Sequence, residues 1–174
     1  GDRIEAGDRI RTSPSSNARL DFFDGSTTAL ASDTEITIAQ MHSRRDGSGK
    51  VMVIQQWLGR VDNHVNSLTD RDSSFRVETR TAVAAVRGTV FAVSTAADGS
   101  THVTVTEGIV NVAYQEATVA LSGGQELTVR PDQDHLATCP ICEVSSAPWP
   151  TPSLPRPAQE TPYGAQVLGA TEIA

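Results

Sequence analysis

The residue types best equipped for chemistry lie together near the C-terminal end, as His135-x-x-x-Cys139-Pro140-Ile141-Cys142, with Asp132 and Asp134 just upstream. Two thiolates and one imidazole within eight residues supply three of the four ligands of a tetrahedral zinc site. The same two cysteines, the only ones in the chain, can instead close a small disulfide, as expected outside the cytoplasm. A lone Cys-x-x-Cys with no second pair favours the Cys139–Cys142 disulfide over zinc at His135, Cys139 and Cys142. No cofactor is expected. No βαβ pattern surrounds the pair, which argues against a thioredoxin-like role, and no His follows Cys142, which excludes c-type haem attachment.

The remaining candidates are weaker. His42, His64, His102 and His135 fall on separate segments, and the many Ser and Asp residues give a catalytic triad no distinctive signal. The histidines are read as surface residues. Asp70-Arg71-Asp72 and Asp132-Gln133-Asp134 offer two carboxylates each, short of the six to eight oxygens that calcium takes, and are read as solvated loops. No Gly-x-Ser-x-Gly elbow, His-Glu-x-x-His helix, phosphate loop or dinucleotide fingerprint is present. Trp57 is expected in the core. Trp149, between two prolines, is expected to be exposed and to serve as an anchor if its segment docks. The reading is of a chain that is not an enzyme.

The elements that would position these residues are strands. Val, Ile and Thr total 44 residues against 11 Leu and Met, a bias toward stiff β-branched side chains that suits a pleated sheet. Period-two runs recur at Leu20/Phe22, Ile36/Ile38, Val51/Val53, Phe75/Val77, Val103/Val105, Val110/Val112 and Leu127/Val129. Asp24-Gly25, Asp98-Gly99 and Gly123-Gly124 read as hairpin turns, Glu107-Gly108 as a reversal or corner, and Asp46-Gly47-Ser48-Gly49 as a longer loop. About a dozen short strands follow from this pattern, and the fold class is all-β. The net charge of −7, from 14 Lys and Arg against 21 Asp and Glu, argues against nucleic acid.

Near residue 138 the character changes. Residues 139–174 hold seven of the nine prolines and read as an extended Pro-rich linker or arm, leaving residues 1–138 as the folded domain. The last residues, including Val167 and Leu168, could add as a strand to a sheet edge of their own body or of a neighbour. Because the chain starts at Gly1 and not Met, it is read as a trimmed product, with any leader or membrane anchor left out.

The densest signal runs from Val77 to Val93. Ala82 to Val86 is almost wholly small or apolar, so both faces of that strand should be covered. Gly88 breaks the run where a sheet would bulge, bend or admit another backbone. Arg87, read as the one cation in a buried segment, then requires a carboxylate or carbonyl partner.

The stretch Thr79-x-Thr81-Ala82-Val83-Ala84-x-Val86-Arg87-Gly88-Thr89-x-Phe91 resembles the signature of the FecR domain. Gly7-Asp8-Arg9-Ile10-Arg11-Thr12, the Ala18–Ser26 hairpin, Leu58-Gly59-Arg60-Val61, Val103–Val110 and Gly124-Gln125 match further family elements in the right order. Arg80 stands where the family often has Pro, and Val90 where it often has Glu; if that Glu balances Arg87, Glu78, Glu107 or Asp98 must replace it. The resemblance implies an extracytoplasmic all-β domain, a compact solenoid-like or sandwich-like stack, exported to the periplasm or cell surface. Thr81, Ala82, Val83, Arg87, Gly88, Thr89 and Phe91 then form its structural motif. The expected role is a protein-interaction module, a surface scaffold or self-assembling subunit whose arm contacts a neighbour through Trp149, Val167 and Leu168. The partner is another protein, either a further copy or a cell-envelope component, and membrane contact would come only through an omitted segment. The alternative is a FecR-type transmembrane signalling regulator whose outer domain senses a partner receptor.

Overall fold

Three Asp-Gly-Ser tripeptides turn the chain by one mechanism. In Asp24-Gly25-Ser26, Asp46-Gly47-Ser48 and Asp98-Gly99-Ser100 the carboxylate accepts both the serine N–H and the serine hydroxyl. The glycine between them takes φ of 82°, 81° and 85° respectively, which a side chain would disfavour. The computed structural model describes residues 2–131 and 165–168, and among these it has strands and no helix.

The strands form two curved layers. The first runs in the order β1 (Asp2–Ile4), β14 (Ala165–Leu168), β3 (Ala18–Asp21), β4 (Thr27–Leu30), β6 (Val51–Val65), β9 (Thr89–Thr95), β10 (Thr101–Glu107) and β13 (Glu126–Val129). The second runs β2 (Arg9–Arg11), β5 (Glu35–His42), β6 again, β7 (Ser74–Glu78), β8 (Val83–Val86), β11 (Ile109–Tyr114) and β12 (Ala117–Ser122). Strand β6 belongs to both layers: its first half pairs with β5 and its second half with β4 and β9. The result is a sandwich-like stack closed almost to a barrel, and all-β as the composition predicts.

Glycines make the corners between layers. Gly59 bends β6 at φ 86°, Gly88 separates β8 from β9 at φ 132°, and Gly108 separates β10 from β11 at φ 88°. The corners stack closely: a Cβ on Gly108 would lie 2.8 Å from the Gly88 carbonyl oxygen, and the Gly123 N–H donates to the Gly108 carbonyl at 3.1 Å. The expected hairpin at Gly123-Gly124 is therefore a corner instead. β12 pairs with β11 and β13 with β10, so residues 101–129 form one long hairpin folded across the corner. Its turn is Gln115-Glu116, with Gln115 at φ 50°, a position carrying none of the residues that announce such a turn.

The core is apolar and continuous between the layers. Leu20, Ile36, Ile38, Phe75, Val77, Val103, Val110 and Leu127 are all buried, as their alternation predicts, and Ile54 is buried out of phase with the expected Val51/Val53 pair. Phe75 stands edge-on to Phe22 at 5.9 Å and to Phe91 at 6.4 Å. Met52 joins this core while Val51 is half-buried. In β8, Ala84, Ala85 and Val86 are buried and Val83 half-buried, which matches a strand covered on both faces.

Candidate interaction surface

The signature segment is architectural. Thr79 and Thr81 both share hydroxyl hydrogen bonds of 2.8 Å with Thr101, and Thr81 also donates to the Gly99 carbonyl. The Thr79 hydroxyl accepts the Ala82 N–H at 3.0 Å. This knot ties the β7–β8 turn to the β9–β10 turn and fixes where Ala82 enters the core. At the other end of β8, the Thr89 hydroxyl donates to the Ile109 carbonyl across the Gly88 corner, and Phe91 reaches the aromatic stack.

Arg87 differs from expectation. It is exposed, not buried, and its Nη2 donates to the Arg71 carbonyl at 2.8 Å. The chain turns outward at Arg87-Gly88, so the cation keeps its water and needs no carboxylate. Trp57 differs too. It is 39% exposed, and its indole N–H donates to the Thr37 hydroxyl at 3.1 Å. The cause is a break in alternation: Met52, Ile54 and Gln56 face inward before the bend and Val61, Asn63 and Val65 after it. The register shifts opposite Glu35/Ile36, and Gly59 turns the strand, so Trp57 falls outside. Gln56 takes the inner place, its amide donating to the Gly59 and Val93 carbonyls at 2.7 and 3.1 Å. Only that change of phase, from even to odd positions, marks the bend in the sequence.

Trp57 and the 37% exposed Leu58 form an apolar pair on the surface. Beside them lie Glu35 of β5, in register with Leu58, Thr37, which holds the Trp57 indole, and Arg9 of edge strand β2, whose guanidinium pairs with Glu35. An aromatic and an aliphatic side chain next to an arginine and an unpaired strand edge make a surface suited to a protein partner. A second feature is a shallow depression of about 160 Å³ on the outer face of the first layer, lined by Asp62, His64, Val90, Ala92 and Thr104 among others. Its lining is mixed in polarity, and it is open to solvent.

Other titratable groups serve the turns. His102 holds the Thr128 and Thr104 hydroxyls at 2.9 and 3.1 Å and lies 3.5 Å from Glu126. Asp70 accepts the Ser73 hydroxyl and the Gly49 N–H, and Asp72 pairs with Arg44 at 2.6 Å. Among the described residues no three His, Cys, Asp or Glu side chains gather as metal ligands. His135, Cys139, Cys142, Trp149 and the Asp132-Gln133-Asp134 pair lie outside the described residues. Val167 and Leu168 lie on β14.

Hydrogen bonds from Ser100 hold the Asp98 carboxyl below the ordinary carboxylate value, and those from Ser48 do the same for Asp46. A depressed folded pKa stabilises the fold above the unfolded value of 3.8, and that contribution disappears as pH falls through the folded value. Stability should therefore be flat near neutrality and decline below about pH 4. In an acid titration of the urea midpoint, Asp98→Asn should show a shallower decline than the parent; an identical slope would remove this turn from the account.

The profile of the FecR protein family matches residues 8–111, more than half of the 174-residue chain. The chain belongs to the FecR family. No curated protein matches it. Two crystal structures of a "putative anti-sigma factor" from Parabacteroides distasonis ATCC 8503, at 1.65 and 2.50 Å resolution, are similar in fold. Each has a TM-score of 0.62 at 20% identity, over 80% of this chain and 60% of the other. This FecR chain thus spans about 60% of the length of that protein. The matched region runs from β2 through the Gly108 corner into β11, so it takes in the corners at Gly59, Gly88 and Gly108.

Proposed function

We propose that this chain is the extracytoplasmic domain of a FecR-type signalling regulator, which binds a partner protein such as a receptor and relays that contact through a membrane-anchored remainder of its protein. The observation that carries the reading is the family match across the body of the two-layer fold, supported by the fold likeness to a protein described as an anti-sigma factor. The same findings favour the regulator over the self-assembling scaffold that the sequence reading preferred. The domain's contribution is binding, without catalysis. The Trp57–Leu58 pair beside the Arg9–Glu35 ion pair is the surface offered to the partner, because anchors of this type dominate protein interfaces.

The test is made in the native cells with the full-length protein. Deleting residues 8–130 should shift transcription of one gene set under a single alternative sigma factor. Unchanged transcription together with a defect in envelope assembly would restore the scaffold reading. Light scattering of the purified chain supplies an independent arm, in which the regulator reading expects a monomer and the scaffold a concentration-dependent oligomer.

A further inference from the structure

Strand β14 occupies an unusual place. It is the last strand in sequence, yet it sits inside the first layer, between β1 and β3. Among the described residues β1 pairs with no other strand, and β3 would be an edge without β14. Both flanking strands are antiparallel to β14, so they run parallel to each other, roughly 10 Å apart, with one strand's width between them. Ile4 on one side and Leu20 on the other are buried in the core at 4% and 0% exposure, which holds the two walls in place.

We propose that the gap between β1 and β3 is a strand-acceptor site, that Ala165–Leu168 is its resident occupant, and that an extended segment of a partner protein replaces it by β-augmentation. The resident is short, with three ladder pairs on each side: Asp2↔Val167, Arg3↔Gln166 and Ile4↔Ala165, then Gln166↔Asp21, Val167↔Leu20 and Leu168↔Arg19. Its ladder bonds are made by the backbone, which any extended chain supplies equally well. The resident's advantage over a foreign strand of the same pattern is its tether through residues 132–164. The walls also set selectivity. In register, Ala165 stands opposite the buried Ile4 and Val167 opposite the buried Leu20, so a foreign strand is expected to carry small apolar residues at these two positions. The intervening position lies between Arg3 and Asp21, and the next faces Arg19, so a foreign strand should carry a polar residue at the first and gains from an acidic one at the second. This goes beyond the regulator reading and holds for any protein partner that presents such a strand.

The test uses the full chain carrying Val167→Pro, which cannot sit in an inner strand, and a labelled peptide of residues 163–170 as probe. Amide exchange of Ala18–Asp21 and Asp2–Ile4 should accelerate at least tenfold in the variant. The peptide should bind the variant, restore that protection, and bind the unsubstituted chain at least tenfold more weakly. Gln166→Pro is the second variant and should behave alike, while a peptide with the same proline should not bind. Unchanged exchange in both variants overturns the placement of the resident, and an exposed edge that takes up no peptide overturns the acceptor site. A dimer formed by exchange of the strand between two copies would assign the site to a second copy and overturn its assignment to a foreign strand. None of these results bears on the transcriptional test above.

Discussion

Gly59→Ala is expected to cost this fold about 4 kcal/mol, through strained backbone and forced overpacking acting together. At φ 86° the residue is in the left-handed region, and a Cβ there would lie 2.3 Å from the Thr34 Oγ1 and 2.5 Å from the Thr34 Cα. Thr34 cannot yield, because its hydroxyl accepts the Arg60 N–H at 3.0 Å and its N–H donates to the Thr12 hydroxyl at 2.9 Å. For a domain of ordinary stability, about 5–15 kcal/mol, the loss is roughly a quarter to four-fifths of the total. Gly124→Ala is the control. It has a similar φ of 85° but nothing within 4 Å of its Cβ, so only the backbone term of about 1–2 kcal/mol remains. Urea unfolding separates the two, with midpoint shifts at constant slope. Equal shifts would show that the Thr34 contact contributes nothing.

The second large effect falls on Phe75. It is fully buried, touches both Phe22 and Phe91 edge-on, and so joins the two layers at the centre of the core. Phe75→Ala should lose about 4 kcal/mol, since the rings around the cavity are held separately, Phe91 on β9 and Phe22 just beyond β3, and cannot collapse into it. Phe75→Leu should lose about 1.5 kcal/mol, because most of the volume is kept. Trp57→Ala, although it removes a larger ring, should change stability by about 1 kcal/mol or less because that ring sits on the surface. A loss at Trp57 as large as that at Phe75 would contradict its place outside.

These residues also show what could be read from the sequence. Strand identity was legible because alternation is a local property: Ile36 and Ile38, Val103 and Val105, Val110 and Val112 all face inward as spaced. The Asp-Gly-Ser turns were legible because the turn chemistry lies within three residues. Corners were less so, because a Gly-Gly pair signals positive φ without saying whether the chain reverses or crosses to another layer; at Gly123-Gly124 it crosses. The Gln115 turn gave no signal at all. For the candidate surface, Trp57 was misplaced because the bend at Gly59 resets which side chains face in, and that reset depends on Thr34, distant in sequence. Arg87 lies at a corner, where the burial of its apolar neighbours in β8 no longer applies. The family match covers the signature, and in the structure its residues hold corners and turns.

The sharing of β6 governs how the domain can come apart. A sandwich of independent sheets can lose one leaf and keep the other; here the same fifteen-residue strand is the spine of both. Residues 66–73 then return the chain to lie parallel beside the first half of that spine, which cross-braces it. Melting either leaf strips the other of its central member, so the body has no half-opened form to rest in. It holds its shape or surrenders it in a single event.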